Sequence, residues 1–213
     1  MTEYVINKKF KSTVERTERV LEIGQAFGLG LNDKEFVIYD DLKINVEDGD
    51  VVYIHGQSGS GKTIILNELA NQMLSKTVAM LDDMKMDMDR PLIDQVGKDM
   101  TEALKLLSLA GLNDAYLFVR KPGELSDGQK YRFRLAKLIE SGAKVWVADE
   151  FGAVLDRVTA KVVAYNMQKM ARKVGATLMI ATTHDDLMTD LNPDLYIHKN
   201  YRDKVEVSYG LDE

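Results

Sequence analysis

Gly56-Gln57-Ser58-Gly59-Ser60-Gly61-Lys62-Thr63 is the stretch that decides the fold. It matches the pattern of a phosphate-binding loop, and it stands between a run of β-formers, Val51–His55, and an apolar-periodic segment, 64–74, that reads as a helix. Glycines at 56, 59 and 61 let the backbone wrap closely around phosphate. Successive N–H groups then point inward, and the N-terminus of the following helix adds positive potential. Lys62 is the candidate contact to β- and γ-phosphates, and the Thr63 hydroxyl is the candidate Mg²⁺ ligand. A plain glycine-rich turn is the alternative, but it needs neither the strand before nor the helix behind.

Strands and helices alternate outward from this loop. Upstream, 4–10 reads as a short strand. Ser12-Thr-Val-Glu15 has the capping-box pattern, so a helix is expected to start there, with Val14, Val20, Leu21, Ile23, Ala26 and Phe27 on one face and Gly28 and Gly30 closing it. Segments 36–39 and 42–46 read as strands, and Glu47-Asp-Gly-Asp50 as a turn. Downstream, 78–81, Val145–Ala148, 178–181, 195–198 and Val205–Tyr209 read as strands. Helices are expected at Met100–Leu109, around 135–139, and at 160–174 closed by Gly175. This alternation predicts an α/β sheet covered on both faces.

A second constellation is Val145-Trp-Val-Ala-Asp149-Glu150. An apolar strand ending in two carboxylates gives one to hold Mg²⁺, Asp149, and one to polarise the attacking water as general base, Glu150. A third is Leu125-Ser126-Asp127-Gly128-Gln129, ahead of the helical stretch KYRFRLAKLIE. Ser126 reads equally as a helix N-cap, and both readings hold together because a helix N-terminus is itself an anion site.

The 125–129 stretch resembles the signature motif of ABC ATPases, usually LSGGQ, with Asp127 in place of the first glycine of the pair. Val154-Leu155-Asp156 resembles the D-loop of that family, and His184 in Thr182-Thr-His184 resembles its switch histidine. The resemblance implies a P-loop NTPase fold of the ABC ATPase type, ATP as ligand, Mg²⁺ as cofactor, and catalysis by Glu150, His184 and Lys62. It also implies an ATP-dependent homodimer, in which Ser126 and Gly128 complete the site that Gly56, Gln57, Ser58, Gly59, Ser60, Gly61, Lys62 and Thr63 form on the other copy, with Asp156 as a further nucleotide-binding candidate. A single domain over 1–213 is expected, with core motifs at 56–184, a helical subdomain at about 83–140 and an N-terminal strand–helix extension at 1–30.

Departures from the family bear on the biological role. The stretch 63–125 is short, so the helical subdomain is expected to be reduced. Aligning 76–83 on the family's next strand puts Asp82 at the position of the usual Gln, as a candidate Mg²⁺ partner, with Gln95 as the alternative. Both changes fall where transporter ATPases meet their membrane partner. The expectation is therefore a switch outside transport, acting on a protein or nucleic-acid partner, with a membrane transporter subunit as the alternative. Phe36 and Phe27 are the candidates for stacking on adenine. FKSTVERTERVLEIGQAFGLGL, LSDGQKYRFRLAKLIE and ATTHDDL are similar to ABC ATPases fused to predicted acetyltransferase domains.

Composition sets the outer bounds. The 213 residues are 45% apolar and 29% charged, which suits a globular chain with a sizeable core. The absence of cysteine excludes disulfides and thiolate metal sites. No apolar run approaches the roughly 20 residues of a membrane span, and 1–12 lacks a secretory signal, so a cytoplasmic protein without direct membrane insertion is expected. Net charge of −6 gives no bulk support for nucleic-acid binding, and Lys8, Lys9 and Lys11 read as a solvated edge.

Overall fold

The computed structural model describes residues 2–73, 76–201 and 204–210. Cα packing divides the chain into a small unit, Glu3–Ile44, and a larger one from Asn45 onward.

The small unit pairs β1 (Thr2–Ser12) with β2 (Lys34–Val46) in a two-stranded sheet, and α1 (Glu18–Phe27) connects them. β1 runs through Ser12, so the expected helix start at Ser12 does not occur. Thr17 is the N-cap instead, its hydroxyl accepting from the Val20 amide at 3.4 Å. Gly28 ends the helix in the left-handed conformation, as its position predicts. The expected apolar face is not a core face within this chain: Gly24 is the one buried position of α1, while Ile23 and Phe27 are exposed. The strands expected at 36–39 and 42–46 are one strand, β2. Asp41 takes a positive φ of 50° within it, and its amide is held by the Asn7 side chain at 2.8 Å.

The larger unit is a six-stranded sheet. Its elements, in chain order, are β3 (Val51–His55), α2 (Lys62–Gln72), β4 (Val78–Met80), α3 (Met100–Leu109), α4 (Ala115–Phe118), α5 (Asp127–Glu140), β5 (Val145–Ala148), α6 (Arg157–Val174), β6 (Thr177–Thr182), α7 (Met188–Leu191), β7 (Leu195–Lys199) and β8 (Val205–Tyr209). The spatial order is β4-β5-β6-β3-β7-β8, with β8 alone antiparallel to its neighbour. Central parallel strands are buried on both faces, which is why VVYI, VWVA and TLMIAT are apolar runs without alternation. Trp146, Phe133, Phe151, Met167 and Ile180 are among the side chains that fill the core against these strands.

Helix boundaries move toward their caps. α2 begins at Lys62, directly behind Gly61, and the residue at which it was expected to end, Leu74, lies outside the described residues. α5 starts at Asp127, with Ser126 as its N-cap as the sequence suggests, and Ser126 and Gln129 form a reciprocal capping box. α6 starts at Arg157 because the Asp156 side chain caps it. β4 stops at Met80 and passes into a 3₁₀ turn, Leu81–Asp83. Two further 3₁₀ turns and the short helices α3 and α4 occupy the stretch between that turn and α5.

Candidate active site

β3, β5 and β6 are adjacent and parallel, so their C-terminal ends emerge side by side. Ligands of open α/β sheets bind at that edge. From β3 comes the loop 56–61. A Cβ on Gly56 would lie 1.9 Å from the Lys199 carbonyl oxygen, so only glycine fits there. Gly59 and Gly61 take φ of 73° and 105°, which other residues reach only with strain. No side chain caps α2, so the positive end of the helix is left to an anion. The Ser60 hydroxyl is buried and has no hydrogen-bond partner among the described residues.

Lys62 is buried to 8% exposure, and its Nζ donates to the carbonyls of Gly56 and Gln57 at 2.8 Å each. Burial lowers its pKa, and the nearby Asp149 and Glu150 carboxylates oppose that shift. A cavity of about 480 Å³ is lined by Ser58, Gly59, Gly61, Lys62 and Thr63 from the loop, Asp149 and Glu150 from the end of β5, and Thr182 and Thr183 from the end of β6. Two of the expected constellations therefore meet in one cavity.

Glu150 is exposed and adopts a left-handed backbone, φ 45°, which costs a non-glycine residue of order 1–3 kcal/mol. The turn behind it is anchored on three sides. The Phe151 amide donates to Ala181 at 2.9 Å, and its carbonyl accepts from the Thr182 hydroxyl at 2.8 Å. The Gly152 amide donates to the Tyr131 hydroxyl at 3.0 Å. His184 directs Nε2 at the Gly152 carbonyl, 3.3 Å away, and its own carbonyl accepts from the Tyr53 hydroxyl. His184 thus touches the turn that carries Glu150, one step back from the cavity lining.

The remaining expected residues do not line this cavity. Ser126 is exposed at the N-terminus of α5, its hydroxyl accepting from the Gln129 amide at 3.3 Å. Neither Ser126 nor Gly128 lines the cavity. Asp156 holds the Thr159 amide and hydroxyl, and these bonds hold its carboxyl below the usual range. Asp82 sits exposed in the 3₁₀ turn after β4 and does not line the cavity. Gln95 spends its side chain on the backbone of Asp87 and Arg90, closing the loop 87–95. Phe27 and Phe36 both belong to the small unit, and both are exposed.

Sequence reading passed over Tyr131 and Thr182. The signal for Tyr131 was its spacing with Leu135 and Leu138 on the buried face of α5; for Thr182, its place at the end of a fully buried strand.

The donor set fits a nucleotide with Mg²⁺. Thr63 and Asp149 face the same cavity as Lys62. Among the described residues no cluster of three or more His, Cys, Asp or Glu could hold a metal alone. Mg²⁺ suits such a site, because it is commonly bound by one or two protein groups together with substrate phosphates and water. No helix among the described residues is long and apolar enough to cross a membrane.

No family model matches the chain. It is similar to the methionine import ATP-binding protein MetN of Escherichia coli (strain K12), with 30% identity over 118 residues, covering 55% of this chain and 33% of that protein. The MetN of Vibrio vulnificus (strain YJ016) is 25% identical, covering 74% of this chain and 56% of that protein. The chain thus spans between a third and somewhat over half the length of these relatives. Among solved structures, the dimeric ATP-binding cassette MJ0796, a bacterial ABC transporter cassette, superposes with a TM-score of 0.67 and 16% identity over 99% of this chain. The same cassette in a post-hydrolysis dimer with ADP and Pi superposes equally well. The fold of this chain is that of the ABC-type ATP-binding cassette, a P-loop α/β fold.

Proposed function

We propose that the chain binds and hydrolyses ATP, and that its active site is completed by a second copy. One observation carries this reading: Lys62, Thr63, Asp149 and Glu150 line a single cavity, while Ser126 and Gly128 stand outside it at the exposed N-terminus of α5. Lys62 exchanges its two loop carbonyls for phosphate oxygens, and the amides of 59–63 bind the rest. Thr63 and Asp149 hold Mg²⁺, which when bound neutralises charge on the phosphates. Glu150 accepts the proton of the attacking water, and His184 steadies the turn from which Glu150 projects. Ser126 and Gly128 of the partner subunit donate to the γ-phosphate. ADP lacks that phosphate, so ATP favours the dimer and hydrolysis loosens it. The MJ0796 dimers support this arrangement.

Two outputs are open to such a dimer. The MetN relatives are named as import ATP-binding proteins, which favours the ATP-binding subunit of a membrane transporter over the non-transport switch expected from sequence. The short stretch 63–125 and Asp82 at the position of the usual Gln support the switch. Stoichiometric isolation from the native cell with a multi-spanning membrane protein decides for transport.

The core reading is tested with Glu150→Gln. Removing a general base typically costs about 10²–10⁴-fold, so hydrolysis should fall by that much while ATP binding persists. The variant should elute as a dimer with Mg-ATP and as a monomer with ADP. A loss below about fivefold would assign the base to another group, His184 first.

A further inference from the structure

The peptide that follows Glu150 and Phe151 joins two elements that the proposed reaction uses separately. The Gly152 amide donates to the hydroxyl of Tyr131, and Tyr131 lies on α5, the helix whose N-terminus carries Ser126 and Gly128. The Gly152 carbonyl faces His184. Tyr131 is buried at 8% exposure, and its ring meets Phe151 edge-on with centroids 6.2 Å apart. The 3₁₀ turn bearing Asp82 packs on the same helix. Among the described residues, Tyr131 is the side chain of α5 whose polar atom grips the Glu150 turn.

Glu150 needs such a grip. Its left-handed backbone is strained and persists only where neighbouring bonds fix it. The bonds from β6 hold the Phe151 peptide, and the Tyr131 hydroxyl holds the next amide. A Phe at 131 would keep the ring and its contact with Phe151 while leaving a buried N–H unpaired.

We propose that Tyr131 is a positioning residue for Glu150: its hydroxyl locks the Gly152 amide and so ties the aim of the general base to the helix that presents Ser126 and Gly128. Ser126 faces γ-phosphate on the partner, whereas Glu150 acts on the nucleotide of its own chain. Tyr131 thereby couples nucleotide at one site of the dimer to chemistry at the other. This inference rests on the ATPase reading above.

The test is a double-mutant cycle of Tyr131→Phe and Glu150→Gln in the full chain, with ATP hydrolysis and ATP binding both measured. Tyr131→Phe should lower kcat about tenfold, with KM for ATP and nucleotide affinity within about twofold of wild type. If Tyr131 acts through Glu150, the double variant should be no slower than Glu150→Gln alone, within about twofold. A purely structural role would multiply the two losses, and that result overturns the proposal. Wild-type kcat in Tyr131→Phe beside a crippled Glu150→Gln overturns it as well, and leaves the ATPase reading intact. An inactive wild type overturns the ATPase reading itself; a fully active Glu150→Gln leaves that reading intact, assigns the base to another group and overturns the positioning proposal. If Tyr131→Phe does not fold, Tyr131→3-fluorotyrosine keeps the hydroxyl but weakens it as an acceptor. A two- to threefold fall in kcat at constant KM is then expected, and unchanged kcat overturns the proposal.

Discussion

Lys62 donates from Nζ to the carbonyl oxygen of Gly56 at 2.8 Å, so the cation folds back over the first glycine of its own loop. A buried ammonium must be paired, and here two backbone carbonyls pair it. That arrangement keeps the positive charge at the mouth of α2, ready to be transferred to phosphate oxygens that bind it more strongly than neutral carbonyls do.

Lys62→Ala should therefore raise the Kd for Mg-ATP by about 100-fold, the worth of roughly two charge-assisted hydrogen bonds. Titration calorimetry measures it. Wild-type affinity in a folded variant would remove 56–63 from the nucleotide site.

Gly56→Ala tests the loop by sterics. The added Cβ would lie 1.9 Å from the Lys199 carbonyl oxygen, a backbone atom that cannot move without shifting β7. The variant should be severely destabilised or fail to accumulate as folded protein. At Gly59 an added Cβ meets nothing within 4 Å, and only the left-handed backbone is penalised, by about 1–2 kcal/mol. Urea denaturation of both variants should show that ranking; equal midpoints would mean that the chain at Lys199 is not packed on Gly56.

Asp82→Ala should lower Mg²⁺-dependent turnover if Asp82 serves at the family's Gln position. In this structure it lies outside the cavity lining, so its contribution would require the turn Leu81–Asp83 to move on binding. Turnover and apparent Mg²⁺ affinity within about twofold of wild type would make it an ordinary surface carboxylate.

Mixing Lys62→Ala chains with Ser126→Arg chains tests sharing of the site between copies. Each variant should be inactive alone. A mixed dimer has one site with both defects and one with neither, so hydrolysis should return up to the fraction of mixed dimers. No recovery, with mixed dimers demonstrated, excludes the shared site.

The sequence by itself determined the elements with strong local chemistry. The loop 56–63 was legible because glycine spacing and a following Lys-Thr leave few other structures open to the backbone. α3, β5 and β8 were legible to the residue because each is a run of uniform pattern between breakers. Ser126 and Asp156 were placed by motif, and local capping bonds explain why helices begin there. Long-range packing decided the rest. Ser12 and Thr17 offer the same capping chemistry, and pairing of β1 with β2 through Ser12 left Thr17 to cap α1. The apolar residues of α1 predicted a buried face that the chain does not bury. The bond from Gly152 to Tyr131 joins residues on opposite sides of a helix-to-strand connection, and no local pattern encodes it. It exists because α5 and the end of β5 pack on one core, which only the folded chain brings together.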